Sequence, residues 1–299
     1  MLAITNRRIL TATIVVIFII LLLSYYLFLS GALLKTDNFV LDHYFRLRGP
    51  VDPGKDILIV ALDTESSKAL GRKSAEWKRT DYAEAIRNLT DAGADLIAID
   101  VLFALPSVND PAQDEALRSA MEEASNVILV SETSEQNRRI PLDIFRQQEI
   151  GEGFMNLFPD EDDVVRTAPP VVAQLTTSGD LILNFPFALQ IALARLYPDG
   201  NFEADLKDPR WMKFGRLRIP YPQRRGTDGF YINFAGPSGH FPRIPFYKIL
   251  KKEFSADEIR GKIILIGNMN PLAQDYYPVP MKPKRKQIRK LNKVQAIEA

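Results

Sequence analysis

The sequence predicts an α/β protein: a largely parallel mixed sheet with helices on both faces, preceded by one transmembrane helix. Three observations carry this prediction. Short apolar runs at 57–62 ("ILIVAL"), 96–100 ("LIAID") and 127–132 ("VILVSE") alternate with longer stretches of helical periodicity. The resulting order β-α-β-α-β is that of parallel strands joined by crossovers. The runs are continuously apolar rather than alternating, which suits strands covered on both faces. Finally, residues 9–34 carry no charge.

That uncharged stretch comes first. As a helix rising about 1.5 Å per residue it would reach roughly 39 Å, more than the ~30 Å hydrocarbon core, and it can cross with tilt. Arg7 and Arg8 precede it and Lys35 closes it, so the positive-inside bias places residues 1–8 in the cytoplasm and the body outside. The apolar core of a cleaved signal peptide is usually about 7–15 residues, much shorter than this one, so an uncleaved anchor in the inner (plasma) membrane is expected. The predicted organisation is a cytoplasmic stub at 1–8, a transmembrane helix at 9–34 and an extracytoplasmic (periplasmic) domain at 35–281. A basic segment, ending in the start of a last strand, follows at 282–299.

Within the domain the first strand, Ile57 to Leu62, ends at Asp63. In "TDYAEAIRNLTDAG" (80–93), Tyr82, Ala85, Ile86 and Leu89 fall on one helical face, and Gly93 is the expected stop. The second strand, in "GADLIAIDVLF" (93–103), ends on Asp100. In "DPAQDEALRSAMEEAS" (110–125), Asp110 is the expected N-cap and Pro111 the first helical residue. The third strand lies in "NVILVSE". Residues 151–174 read as short strands around an acidic turn, and "FPFALQIALARLY" (185–197) as an amphipathic helix ending before Pro198. Residues 198–212 read as a polar insertion that rejoins the fold at Trp211. "FYINFAGP" (230–237) gives a strand and turn, "IPFYKILK" (244–251) a short helix, and "GKIILIGN" (261–268) a final strand with Gly267 at its carboxyl end.

Composition removes several chemistries. There is no cysteine and there are only two histidines, His43 and His240, so thiolate nucleophiles, disulfides and Cys- or His-rich metal sites are not expected. "GPSGH" (236–240) lacks the glycine spacing of a nucleophile elbow and reads as a turn. The first strand–helix loop, "DTESSKALGRKS", has neither a dinucleotide fingerprint nor a phosphate loop. "PDEDDVVR" (159–166) lacks the glycine and terminal glutamate of a calcium loop and reads as a turn tied by Arg166. No catalytic residue, metal or cofactor is therefore expected. Residues 282–293 hold seven basic residues and no acid; the rest of 35–281 holds 29 basic against 36 acidic. The tail reads as a solvated loop or a contact for anionic lipid. It has no interleaved aromatic residue, which speaks against a nucleic-acid partner.

The candidate binding residues are carboxylates. Asp63, Asp100 and Asp275 each follow or lie just beyond an apolar strand, and clefts at strand carboxyl ends are where such sheets bind ligands. If the strands of Asp63 and Asp100 are neighbours, both line one crevice. The bland reading weighs equally: such aspartates cap the next helix or pair with a nearby arginine, for which Arg46, Arg48 and Arg79 are available. Arg46 and Arg48 are themselves candidate ligand contacts.

Several stretches resemble one known family. "LDHYFRLRGP" (41–50), "DILIVALDTES" (56–66), "AGADLIAIDVLFALPSVND" (92–110), "NLFPDEDDVVR" (156–166), "INFAGPSGHFP" (232–242) and "GKIILIGN" resemble, in order and at compatible spacing, the type-two domain of the CHASE family. The resemblance covers roughly residues 38–299, and its most specific pieces are Arg46 to Pro50 and Asp100 to Phe103. It implies an extracytoplasmic sensory module after one N-terminal helix. Further membrane helices and a cytoplasmic nucleotide cyclase, histidine kinase or serine/threonine kinase usually follow, the whole working as a homodimer. Two departures stand out. The basic run 282–293 replaces the family's short Pro/Gly-rich link, and "VQAIEA" (294–299) resembles the start of the next strand. The sequence is therefore expected to be a fragment of a longer receptor. The expected function is the sensory input region of a membrane-bound receptor responding to a small-molecule or physical stimulus. The alternative is a membrane-tethered hydrolase or solute-binding protein acting alone.

Overall fold

A computed structural model describes residues 2–30, 32–72, 77–107, 110–133, 138–147, 150–175, 179–208, 210–220, 229–269 and 277–281. The chain forms two compact units, residues 1–49 and the body from Pro50 onward.

The first unit is helical. Helix α1 (Leu2–Leu29) contains Ile9–Leu27, whose mean hydropathy is 2.5 and none of which is buried. Among the described residues it is the one helix long and apolar enough to cross a membrane. The uncharged stretch is not all one helix, because a second, α2 (Ala32–Arg48), begins inside it. Gly49 ends α2 at φ +70°, its N–H donating to Phe45 O at 3.0 Å. Glycine reaches this left-handed conformation without a Cβ clash.

The body opens with β1 (Ile57–Leu62), α3 (Thr64–Ala69), α4 (Arg79–Asp91), β2 (Leu96–Asp100), α5 (Ala112–Ala124) and β3 (Val127–Thr133). A short hairpin strand β4 (Arg138–Arg139), α6 (Asp143–Arg146) and β5 (Gly151–Phe154) follow. Then come β6 (Thr167–Ala168), β7 (Val172–Leu175), β8 (Leu181–Asn184), α7 (Phe187–Leu196), β9 (Ala204–Asp205), β10 (Trp211–Phe214), β11 (Leu217–Pro220) and β12 (Phe230–Tyr231). The last described elements are β13 (Arg243–Pro245), α8 (Phe246–Leu250), α9 (Ala256–Ile259) and β14 (Ile263–Asn268). Helix α5 starts one residue later than the sequence suggests, although Asp110 Oδ1 still accepts from Ala112 N at 3.1 Å.

The main sheet runs β13-β1-β14-β2-β3, with β5 beside β3. These strands are all parallel, and β4 pairs antiparallel with the end of β3. In-register residues of parallel strands point to the same face, and successive residues alternate. Leu58, Ile264, Ile97 and Val127 therefore share a face, as do Val60, Ile266, Ile99 and Leu129. That face carries the main core, closed by Ile86 and Leu89 of α4, Leu117 and Met121 of α5, Phe145 of α6, Phe246 and Ile249 of α8 and Ile259 of α9. Tyr82, Ala85, Ile86 and Leu89 lie in this core as their spacing requires.

The opposite face presents Ile59, Leu265, Ala98, Ile128 and Gly151, with Val130 and Gly153 one step on. Helix α7 covers its β3–β5 half. At Gly153 an added Cβ would lie 2.5 Å from Phe187 Cα, so the missing side chain is what lets α7 seat. The other side of α7 packs Leu189 and Leu193 against Met212, Phe214 and Ile219 of the antiparallel sheet β11-β10-β9. Trp211 does begin β10, and the polar segment before it contributes β9 to that sheet.

Candidate functional site

The carboxyl edge is the natural starting point. Strands β1 and β2 are not neighbours, because β14 from the far end of the sequence lies between them. At about 4.8 Å per strand spacing, β1 and β2 stand roughly 10 Å apart. The single crevice expected of adjacent strands is therefore not formed by Asp63 and Asp100. Asp63 is the N-cap of α3: its Oδ1 accepts from Ser66 N at 2.8 Å, and its carbonyl accepts from Ser67 N at 3.0 Å. Capping a short helix needs a side-chain acceptor at this position. Asp100 is exposed, so β2 does not bury a charge. It shares a row with Gly267 and Ala61, and a Cβ on Gly267 would lie 3.7 Å from Asp100 Oδ2. Asp275 and the basic run 282–293 lie outside the described residues.

The arginines have local partners. Arg46 pairs with Asp42 one turn earlier, at 3.6 Å, and Arg48 stacks its guanidinium over Phe45 at 4.7 Å from the ring centroid. Arg79 pairs with Asp114 and donates to Leu105 O, rather than meeting Asp63 or Asp100.

A cavity of about 270 Å³ lies elsewhere, on the second face beyond the half covered by α7. Ile59 and Arg243, paired in register between β1 and β13, form its floor and one side. Phe234, Phe241, Met269 and Tyr277 form its walls. The loop 234–241 is held down at Val51, whose N–H donates to Ala235 O at 2.8 Å. His240 Nε2 lies 2.6 Å from Val51 O, so this nitrogen is the one that carries hydrogen and donates. Gly236 has no room for a side chain, since a Cβ would sit 2.4 Å from the His240 ring. "GPSGH" is thus a turn, as read from the sequence, with His240 as its clamp.

The profile of the CHASE2 domain matches residues 13–297, nearly the whole chain. The chain belongs to the CHASE2 family. No curated protein and no solved structure matches it significantly. CHASE2 domains are extracytoplasmic sensory modules of signalling receptors.

Two stretches within the matched range have structural work here. In "DVLF", Phe103 is 5% exposed and packs edge-on to Tyr82 at 5.3 Å and Phe145 at 5.8 Å. Arg79 lies 5.6 Å and 5.4 Å from the Phe103 and Phe145 ring centroids. This cluster fixes the β2–α5 loop, and burial raises the Tyr82 hydroxyl above its ordinary range. In "PDEDDVVR", Arg166 is 2% exposed and donates to Asp160 at 2.7 Å and to both oxygens of Asp162 at 2.8 and 2.7 Å. Its hydrogen bond is the main cause holding Asp162 below the usual carboxylate range. The acidic turn is an arginine-tied turn. Among the described residues, no group of three or more His, Asp or Glu is arranged to hold a metal.

Of the cavity residues, Phe234 and His240 were legible only as parts of a strand and a turn, and the strand that begins at Arg243 was not foreseen. Their common wall exists because Val51 and Ile59, far away in sequence, pack beside them.

Proposed function

We propose that this chain is the sensory input region of a membrane-bound receptor. The observation that carries the reading is the CHASE2 match, which begins inside the apolar helix and runs through the whole α/β body. In this reading α1 crosses the plasma membrane, Arg7 and Arg8 hold residues 1–8 on the cytoplasmic side, and the body is periplasmic. A stimulus favours one of two arrangements of the body, and the membrane helix passes that bias to a cytoplasmic cyclase or kinase. Such a shift can be no larger than the difference in the stimulus's affinity for the two arrangements.

Topology is directly testable, because the chain has no native cysteine. Single reporters Asn6→Cys in the stub and Glu84→Cys on the exposed side of α4 are placed in the membrane-inserted full chain. A membrane-impermeant maleimide is expected to label Glu84→Cys in intact cells with a permeabilised outer membrane, and Asn6→Cys only after lysis. The reverse pattern overturns the proposal.

A further inference from the structure

We infer that the cavity beneath the 234–241 loop binds a small monocarboxylate with an apolar body, such as an aromatic or short-chain acid. This identifies the stimulus class for the sensory reading and rests on that reading only for its purpose; binding itself is a separate fact about the site. Its volume of about 270 Å³ lies near the low end of the ~300–1,000 Å³ of small-molecule sites. That suits a single ring or a short chain better than a nucleotide.

Ile59, Phe234, Phe241, Met269 and Val279 give the cavity carbon walls, and among the described residues no acid lines it. Its cation is Arg243. Several other arginines of the body are engaged: Arg79 with Asp114, Arg87 with Glu123, Arg138 with Glu152 and Arg166 with Asp160 and Asp162. Arg243 has no carboxylate partner among the described residues, is exposed, and sits beside Ile59 in strand register. One guanidinium at an apolar cleft matches one carboxylate, because the planar fork takes both oxygens at once. A dianionic phosphate would bring a second charge to a mostly apolar lining that meets it with one guanidinium.

The cavity is also placed to report. The loop walling it holds both backbone groups of Val51, through Ala235 O and the His240 ring. Val51 is three residues beyond Arg48, the last residue of α2. A ligand that moves the loop therefore acts where the chain enters the body.

The test uses the full chain in lipid nanodiscs, with benzoate, phenylacetate and hexanoate as probes and benzamide, phenylacetamide and hexanamide as their neutral counterparts. Binding is followed by saturation-transfer NMR and calorimetry. At least one acid is expected to bind saturably, and at least about tenfold more tightly than its amide, from the charged hydrogen bonds. Arg243→Gln should erase the preference for acid over amide, and Arg243→Lys should restore part of it. Val279→Trp, which fills the cavity, should abolish both. Near-UV circular dichroism establishes that each variant is folded. Three outcomes would overturn the inference: no acid saturating below ~10 mM, equal binding of acid and amide, or an unchanged preference in folded Arg243→Gln. None of these depends on membrane orientation. A failed labelling pattern sinks the receptor topology alone, and failed binding sinks the cavity alone.

Discussion

Gly153→Ala should be among the most damaging single-methyl additions in the body, and the reason is the seat of α7. Gly153 is not one of the left-handed glycines, so alanine can adopt its backbone without strain and the effect is purely one of space. The added Cβ would stand 2.5 Å from Phe187 Cα, 2.6 Å from Phe187 N and 2.9 Å from the Pro186 carbonyl carbon. Ordinary contact begins near 3.5 Å, so the start of α7 must retreat by nearly 1 Å. All three obstacles are backbone, and no rotamer change relieves them. Overpacking of this kind costs about 1–3 kcal/mol, and the rigid obstacle places Gly153→Ala near the upper figure. For a domain of this size that is a fall in Tm of roughly 6–12 °C. Gly151 provides the control two residues earlier on the same strand face. Its Cβ would meet only the Gln190 side chain, with Oε1 at 3.3 Å, which can swing aside at a cost of a few tenths of a kcal/mol, or about 1 °C. Thermal unfolding by far-UV circular dichroism reads both. If the two variants melt within about 1 °C of each other, α7 does not seat on β5 as described.

Two further outcomes follow from local geometry. Asp63→Ala should lower stability by about 1 kcal/mol by removing the α3 cap, while Asp63→Asn should be nearly neutral because asparagine also caps; urea titration measures both, and an equal loss in the two would show that the charge matters rather than the cap. The Arg87 hydrogen bond from α4, followed by that of Ser119, draws the Glu123 carboxyl on α5 from its ordinary 4.5 down to about 2. A depressed folded value contributes stability that is fully present above pH ~4.5 and lost as pH falls towards 2. The stability gap between wild type and Glu123→Gln should therefore close over that window, and carboxyl-carbon NMR should place the titration midpoint well below 4.5.

Much of the fold was legible because burial writes itself into sequence. The strands around Val60, Ile99 and Leu129 are apolar on both faces since helices lie on both, and the spacing of Tyr82, Ala85, Ile86 and Leu89 gave the core face of α4. Strand order was not legible. Nothing in "GKIILIGN" says that β14 inserts between β1 and β2; its apolar run fits any interior place in a parallel sheet. That one insertion separates Asp63 from Asp100. The aspartates were read correctly as strand-end residues, and capping accounts for Asp63, but their proximity was a tertiary fact. The cavity was hidden for the same reason. His240 reaches Val51 across 189 residues, and Arg243 meets Ile59 only through parallel pairing.

The placement of β13 and β14 has a consequence for signalling. The β1 side of the sheet joins the start of the body to its last described strands, so the segment leaving α2 is gripped by parts of the chain made much later. At Val51 the grip is two hydrogen bonds, one of them from an imidazole. A net value of about 1 kcal/mol each makes roughly 2 kcal/mol available if one arrangement keeps both bonds and the other has neither. That is about a 30-fold change in an equilibrium, enough to move a state from about one tenth to about three quarters of the population. A sensor needs no larger difference. Nor does it need a buried charge or a strained site, provided that the ligand touches the loop carrying both bonds. Among the described residues, the cavity beside Ile59 and Arg243 meets that condition, and the carboxyl edge around Asp100 is not where Val51 is held.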